Sequence, residues 1–234
     1  MNGETGTVQG ADAAAPNLIQ RVVMVFMSPT RLGEILRTRS PWFYTLAIVG
    51  IVSVIGFLVL PTDLFRAAVE EQLSRRPDQA QDIDTALRFA RIAGTAGALI
   101  GTFVAAAVIA GVVYLVFNVM LGGETNYRQQ LSAVSHMYWI NMLGFLLLIP
   151  LWIAKQNMQV RLGLGLLLPD APASFFGHLM NGIGIFGLWS SAALGAMESG
   201  LSGGKISVGK GVTTVLALYF IWVVLSAAWS TIVG

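Results

Sequence analysis

Few residues in this chain are of a type that does chemistry. It holds two histidines, His136 and His178, and no cysteine. Without a thiol there is no disulfide, no thiolate nucleophile and no cysteine-ligated zinc. A metal needs three or four converging ligands, and the apolar stretches add only the amides of Asn118, Asn141 and Asn181 to His136 and His178. Hydrogen bonds between helices are the expected role of His136 and Asn141. Paired carboxylates for acid–base catalysis are absent from the apolar stretches, and neither histidine has an acidic partner within them to complete a serine-hydrolase arrangement. Ion-coupled carriers usually place ionisable groups inside the membrane; His136 alone fits that description. The expectation is a non-enzyme with no metal and no cofactor.

Two glycine-rich patterns mimic nucleotide sites. Gly182, Gly184 and Gly187 spell G-x-G-x-x-G, but a dinucleotide fingerprint follows a strand and opens a helix, and these lie in a long uncharged run. They are expected to pack helices. "SGLSGGKIS" lacks a glycine at Ser199 and a hydroxyl at Ile206, so it is no phosphate loop.

The elements that must carry these residues are set by composition. Of 234 residues, 55% are hydrophobic and 11% charged, with mean hydropathy +0.71; soluble domains carry about 25% charge. Uncharged runs cover 40–62, 92–123, 129–154, 171–197 and 211–234. Each exceeds the roughly 20 residues that cross a hydrocarbon core. An all-α membrane protein follows, with spans at about 41–61, 92–121, 127–154, 174–197 and 211–233 forming one domain over 41–234. The net charge of +2 gives no reason to expect nucleic acid.

Residues 1–16 are small and polar, with no secretory signal, and are expected to be a disordered tail; the first span is then the segment that directs insertion. Residues 17–40 hold two short amphipathic helices, the second opened by Ser28-Pro29. They either lie in the membrane interface or pack on the end of the bundle. Ser40-Pro41 repeats the cap signal before the aromatic anchor Trp42-Phe43-Tyr44. Residues 63–91 carry the spacing of an extramembrane helical hairpin turning near Pro77. "VRLGLGLLLP" (160–169) is too short to span and is interfacial, re-entrant or packed on the bundle.

Small residues recur every fourth position: Gly97, Gly101 and Ala105 in the second span, and Gly187, Ser191 and Gly195 in the fourth. That period lets helices approach closely, within the monomer or across a homo-oligomer. On that basis Gly101→Leu is expected to weaken packing.

The junction "LGGETNYRQQLSAVSHMYW" (121–139) reads as a turn. Gly122-Gly123 end one helix as C′ glycines. Asn126 with Gln129 makes a capping box for the next, and Arg128 sits at the interface. Glu124 and Arg128 are the candidates for contact with a lipid or protein partner. Shifting the chain so that Gly122-Gly123 fall on Gly203-Gly204 also brings Val134, Tyr138 and Ile140 onto Val215, Tyr219 and Ile221. Spans two-three and four-five thus read as two copies of one hairpin entering from the same side.

Three stretches in order resemble the Yip-domain family, five-span membrane proteins related to the Ypt/Rab-GTPase-interacting proteins. "FMSPTRLGEILRTRSPWFY" is similar to its Phe-x-x-Pro and Pro-Trp lead-in. "NVMLGGETNYRQQLSAVSH" is similar to its Gly-Gly, polar, Arg-Gln junction, and "GIFGLWSSAALGAMESGLSGGK" to its Phe-x-x-Trp fourth helix and basic loop. The resemblance covers roughly residues 17–234 and is to the prokaryotic branch. Two positions depart: the stretch beginning at His136 lacks the proline many relatives have in helix three, and Gly184 stands where an acidic residue often precedes Phe-x-x-Trp.

The resemblance implies a cytoplasmic N-terminus in a prokaryotic inner membrane. Arg31, Arg37 and Arg39 before the first span lean the same way. It implies membrane organisation or scaffolding through lipids, a homo-oligomer or another membrane protein; the GTPase partner of eukaryotic relatives does not carry over. A small-solute transporter or channel and an accessory subunit of a larger complex are the alternatives. A polar cavity around His136 and Asn141 would favour transport, and a dry core scaffolding.

Overall fold

The computed structural model describes residues 15–74, 82–168 and 174–233. The expected tail, apart from residues 15 and 16, and the turn around Pro77 lie outside them. The described residues form helices α1 (Leu18–Met27), α2 (Pro29–Thr38), α3 (Phe43–Val59), α4 (Thr62–Ser74), α5 (Ile83–Tyr114), α6 (Tyr127–Lys155), α7 (Phe175–Gly182), α8 (Ile185–Leu201) and α9 (Val208–Val233). A π-helical turn, Leu115–Met120, continues α5. The only bridge between extended residues among them joins Gly163 and Gly184.

Three helical stretches are long and apolar enough to cross a membrane alone: Ile83–Met120, Tyr127–Lys155 and Val208–Ile232. α3 and α4 qualify together as a pair bent by 83°. The bend falls at Pro61, which cannot continue α3, and α4 folds back on the start of α5. There Arg66 meets Asp84 at 3.4 Å, Arg91 donates to Thr62 Oγ1 at 2.7 Å and lies over the Phe65 ring.

The fourth expected span is not one helix. The chain breaks between α7 and α8, and α8 runs past 197 to Leu201. The break is stitched: the Leu164 N–H donates to Ile183 O at 3.1 Å, and the Ile185 N–H to Leu162 O at 3.0 Å. The 160–169 segment is therefore packed on the bundle over its described part, with Gly165 closed against Asn181. The Tyr219 hydroxyl completes the repair. It donates to Gly182 O at 2.8 Å and accepts from the Gly184 N–H at 2.9 Å. The G-x-G-x-x-G glycines thus serve a helix break as well as helix packing.

Both α1 and α2 pack on the end of the bundle, to different depths. α1 opens with a capping box, Asn17 with Gln20, and packs Val25 inward. Its Ile19, Val23 and Met27 stay 74%, 52% and 79% exposed. α2 is packed on the bundle: Leu32 and Leu36 are fully buried. Ser28 and Ser40 make no capping bond; Ser40 Oγ instead donates to Leu36 O at 2.9 Å, and α3 starts two residues after Pro41.

Where helices come closest, glycine is required. A Cβ on Gly33 would stand 2.1 Å from Met197 O, and one on Gly200 2.1 Å from Thr30 O. α2 and α8 therefore cross backbone to backbone. Gly187 closes on Tyr219, and Gly195 on Val212 and Gly211, so this stripe, with buried Ser191, packs α8 on α9. The stripe in α5 does not pack within the chain: nothing lies within 4 Å of a Cβ at Gly97 or Gly101, and Ala105 is exposed. The inward face of α5 is set by Ala106, Ala110 and Val113 instead, and continues onto Phe117 of the π-helical turn. Four-residue spacing marks a face but not which way it points.

The two glycine sets give opposite outcomes. Gly101→Leu, with open space around it, should not lower stability in detergent and should gain up to about 1 kcal/mol from helix propensity. Gly33→Ala, which must push the Met197 carbonyl aside, should cost more than about 2 kcal/mol.

Candidate functional site

Both loop junctions lie at one end of the bundle. Gly122 (φ +71°) and Gly203 (φ +64°) turn the chain in the left-handed region that glycine favours. After each, a polar residue caps the next helix: Asn126 Oδ1 accepts from the Gln129 N–H at 3.0 Å, and Ser207 Oγ from the Lys210 N–H at 3.3 Å. Gln129 Oε1 returns the bond to the Asn126 N–H at 2.8 Å, completing the expected capping box. The residues paired by the internal comparison therefore turn and cap alike. Glu124 and Lys205 join the two loops as an ion pair, and Gly123 packs near Ile206. Arg128 is exposed.

Beneath the loops runs a buried polar chain. Asn118, on the π-helical turn, accepts through Oδ1 from the Thr125 N–H at 2.7 Å. Gln130 Nε2 donates to Thr125 Oγ1 at 2.9 Å and to Glu198 Oε2 at 2.8 Å. Gln130 is 0% and Glu198 1% exposed. The amide oxygen of Gln130 and the second carboxyl oxygen of Glu198, Oε1 in each, have no hydrogen-bond partner. α2 closes over this chain, held by Gln129 Nε2 donating to Arg37 O at 2.6 Å.

Glu198 corrects the expectation that no carboxyl lies in an apolar helix. It ends an uncharged run in the sequence, so it looks like a boundary. The helix runs through it because the stop signal is Gly203-Gly204, and that pair was the available clue.

His136 is fully buried nearly two turns further along α6 than Gln130. Its Nδ1 lies 2.7 Å from Ser132 O, so Nδ1 is the donor, and Nε2 has no partner. The Ser135 hydroxyl is 3.3 Å from Nδ1 but donates to Ser132 O at 2.7 Å. With no carboxylate hydrogen-bonded to the ring, this is not a nucleophile–base pair. Among the described residues, no three His, Cys, Asp or Glu side chains group to hold a metal.

Asn141 is separated from this end. It lines a cavity of about 870 Å³ between α6, α7, α8 and α9, which His136 does not line. The sequence pairing of His136 with Asn141 thus breaks into a closed polar core and an open polar cavity.

A profile of the Yip1 domain family matches residues 24–232. No curated protein and no solved structure matches the chain.

The junction ion pair has a pH signature. The hydrogen bond and charge of Lys205 hold the Glu124 carboxyl below its usual range, with a smaller contribution from Arg37. A lowered native pKa stabilises above the ordinary carboxylate value, near about 4, and that share is lost as pH falls through the lowered value. Lys205→Gln should therefore shrink the loss of thermal midpoint on acidification through this window. An unchanged acid limb would show that the pair does not form.

Proposed function

The chain belongs to the Yip1 domain family, a membrane-protein family, and from that premise we propose that it organises the membrane around it rather than catalysing a reaction there. α3, α5, α6, the broken pair α7–α8, and α9 are five crossings. The junction end faces the cytoplasm of a prokaryotic cell, with α1 and α2 on the same side.

The observation that carries this is the composition of that end. Arg31, Arg37, Arg39, Arg128, Lys205 and Lys210 are exposed there against only Glu34 and Glu124. α1 adds the outward apolar stripe Ile19, Val23 and Met27. A basic rim beside an amphipathic helix suits an anionic leaflet, at about 1 kcal/mol per cation near the surface. The rim is also a surface for a homo-oligomer or another membrane protein; no GTPase partner is implied.

Carriage of a small solute keeps one observation in its favour, the cavity at Asn141. Against it, the polar residues of the junction end are closed under α2 and do not line that cavity.

Purified protein in liposomes separates these readings. The organising role predicts no saturable passage of sugars, amino acids or small ions above protein-free vesicles. It also predicts stronger co-sedimentation of the detergent-purified protein with anionic than with neutral vesicles. Saturable flux of any one solute would sink the role.

A further inference from the structure

The cavity at the far end from the junctions has several polar side chains in its walls that no described residue satisfies, beside others, such as the Tyr219 hydroxyl, that are bonded. Asn141, His178, Asn181, Ser226 and Ser230 line it, and no hydrogen bond from their side chains is formed to any described residue. Polar groups in a bilayer-spanning region are costly unless paired, so this set calls for water or a ligand. Arg161 also lines the cavity and has no ion-pair partner among the described residues. No Asp or Glu among them lines it. Among the described residues the lining thus carries one cation with no acidic neighbour, and its planar fork suits a phosphate.

The remaining walls are apolar, with Phe145, Leu148, Phe186 and Val223 among them. At one edge stands Trp222, which is 67% exposed on the apolar outer face of α9 beside Ile221 and Leu225. The cavity therefore borders the surface that faces lipid tails. Its volume, about 870 Å³, is in the range of pockets that enclose a small ligand, roughly 300–1,000 Å³. That is room for a headgroup and the ester region rather than for a whole lipid.

We propose that this cavity binds one anionic phospholipid, its phosphate on Arg161, its ester and headgroup oxygens among Asn141, Asn181 and the serines, and its chains leaving past Trp222. This site is separate from the basic rim at the junctions and does not depend on the role given to that rim.

Delipidated full-length protein in neutral detergent tests the assignment by native mass spectrometry. Phosphatidylglycerol and phosphatidylcholine with identical chains are the probes. Phosphatidylglycerol should be retained at least about 10-fold better, which is about 1.4 kcal/mol. Arg161→Gln should bring the two lipids within about 2-fold. Asn141→Leu should weaken phosphatidylglycerol while leaving the thermal midpoint of the lipid-free protein in place. Arg37→Gln, in the rim at the opposite end, should weaken co-sedimentation with anionic vesicles but leave the preference for this one retained lipid in place.

Several results with these probes would each overturn the proposal. They are equal retention of the two lipids, an unaltered preference in Arg161→Gln, loss of preference in Arg37→Gln instead, and displacement of the lipid by millimolar inorganic phosphate. Equal retention of a free fatty acid would assign the site to a carboxylate and overturn the phospholipid.

Discussion

The hydrogen bond from Gln130 to Glu198 is the contact around which the junction end is arranged. A carboxyl at 1% exposure must be paired or it drives the chain to another fold. Its single partner stands one turn into α6, so α6 and α8 are fixed in register at that depth. The same amide reaches Thr125, and Thr125 reaches Asn118. Three helices and a loop are thereby tied through four side chains. The π-helical turn belongs to this arrangement: it carries Asn118 to the loop in the last turn before Gly122.

Such a network stays dry only if something covers it closely. α2 does so because Gly33 and Gly200 let two backbones touch. A lid with side chains at those points would stand off by more than an ångström, and water would enter. The remainder of the molecule answers a different solvent. The outward faces of α5 and α9 are apolar, as a helix among lipid tails requires. The small-residue face of α5 at Gly97 and Gly101 belongs to that exterior.

Helix content and the junction chemistry were legible in the sequence because they are local. The capping box at Asn126 and the turn at Gly122 depend on residues within four positions of one another. The three uninterrupted long helices follow from apolar run length alone. What escaped depends on partners far along the chain. The Gly97 stripe and the Gly195 stripe look alike, and only the tertiary fold says that one meets α9 and the other meets nothing. The helix break at Gly184 is held by Tyr219, thirty-five positions away. Glu198 looked like a boundary charge because its partner, Gln130, is in another span. The division of His136 from Asn141 has the same origin: five residues along one helix turn the two side chains to different surroundings.

A double-mutant cycle on Gln130 and Glu198, with leucine at each position and unfolding followed in detergent, tests the central claim most directly. Each single change strands a buried polar partner and should cost about 2–4 kcal/mol. The double change removes both and should cost less than the two singles together by about 1–3 kcal/mol. Additive effects would mean that the two side chains do not act as a pair, and the account of the junction end would fail.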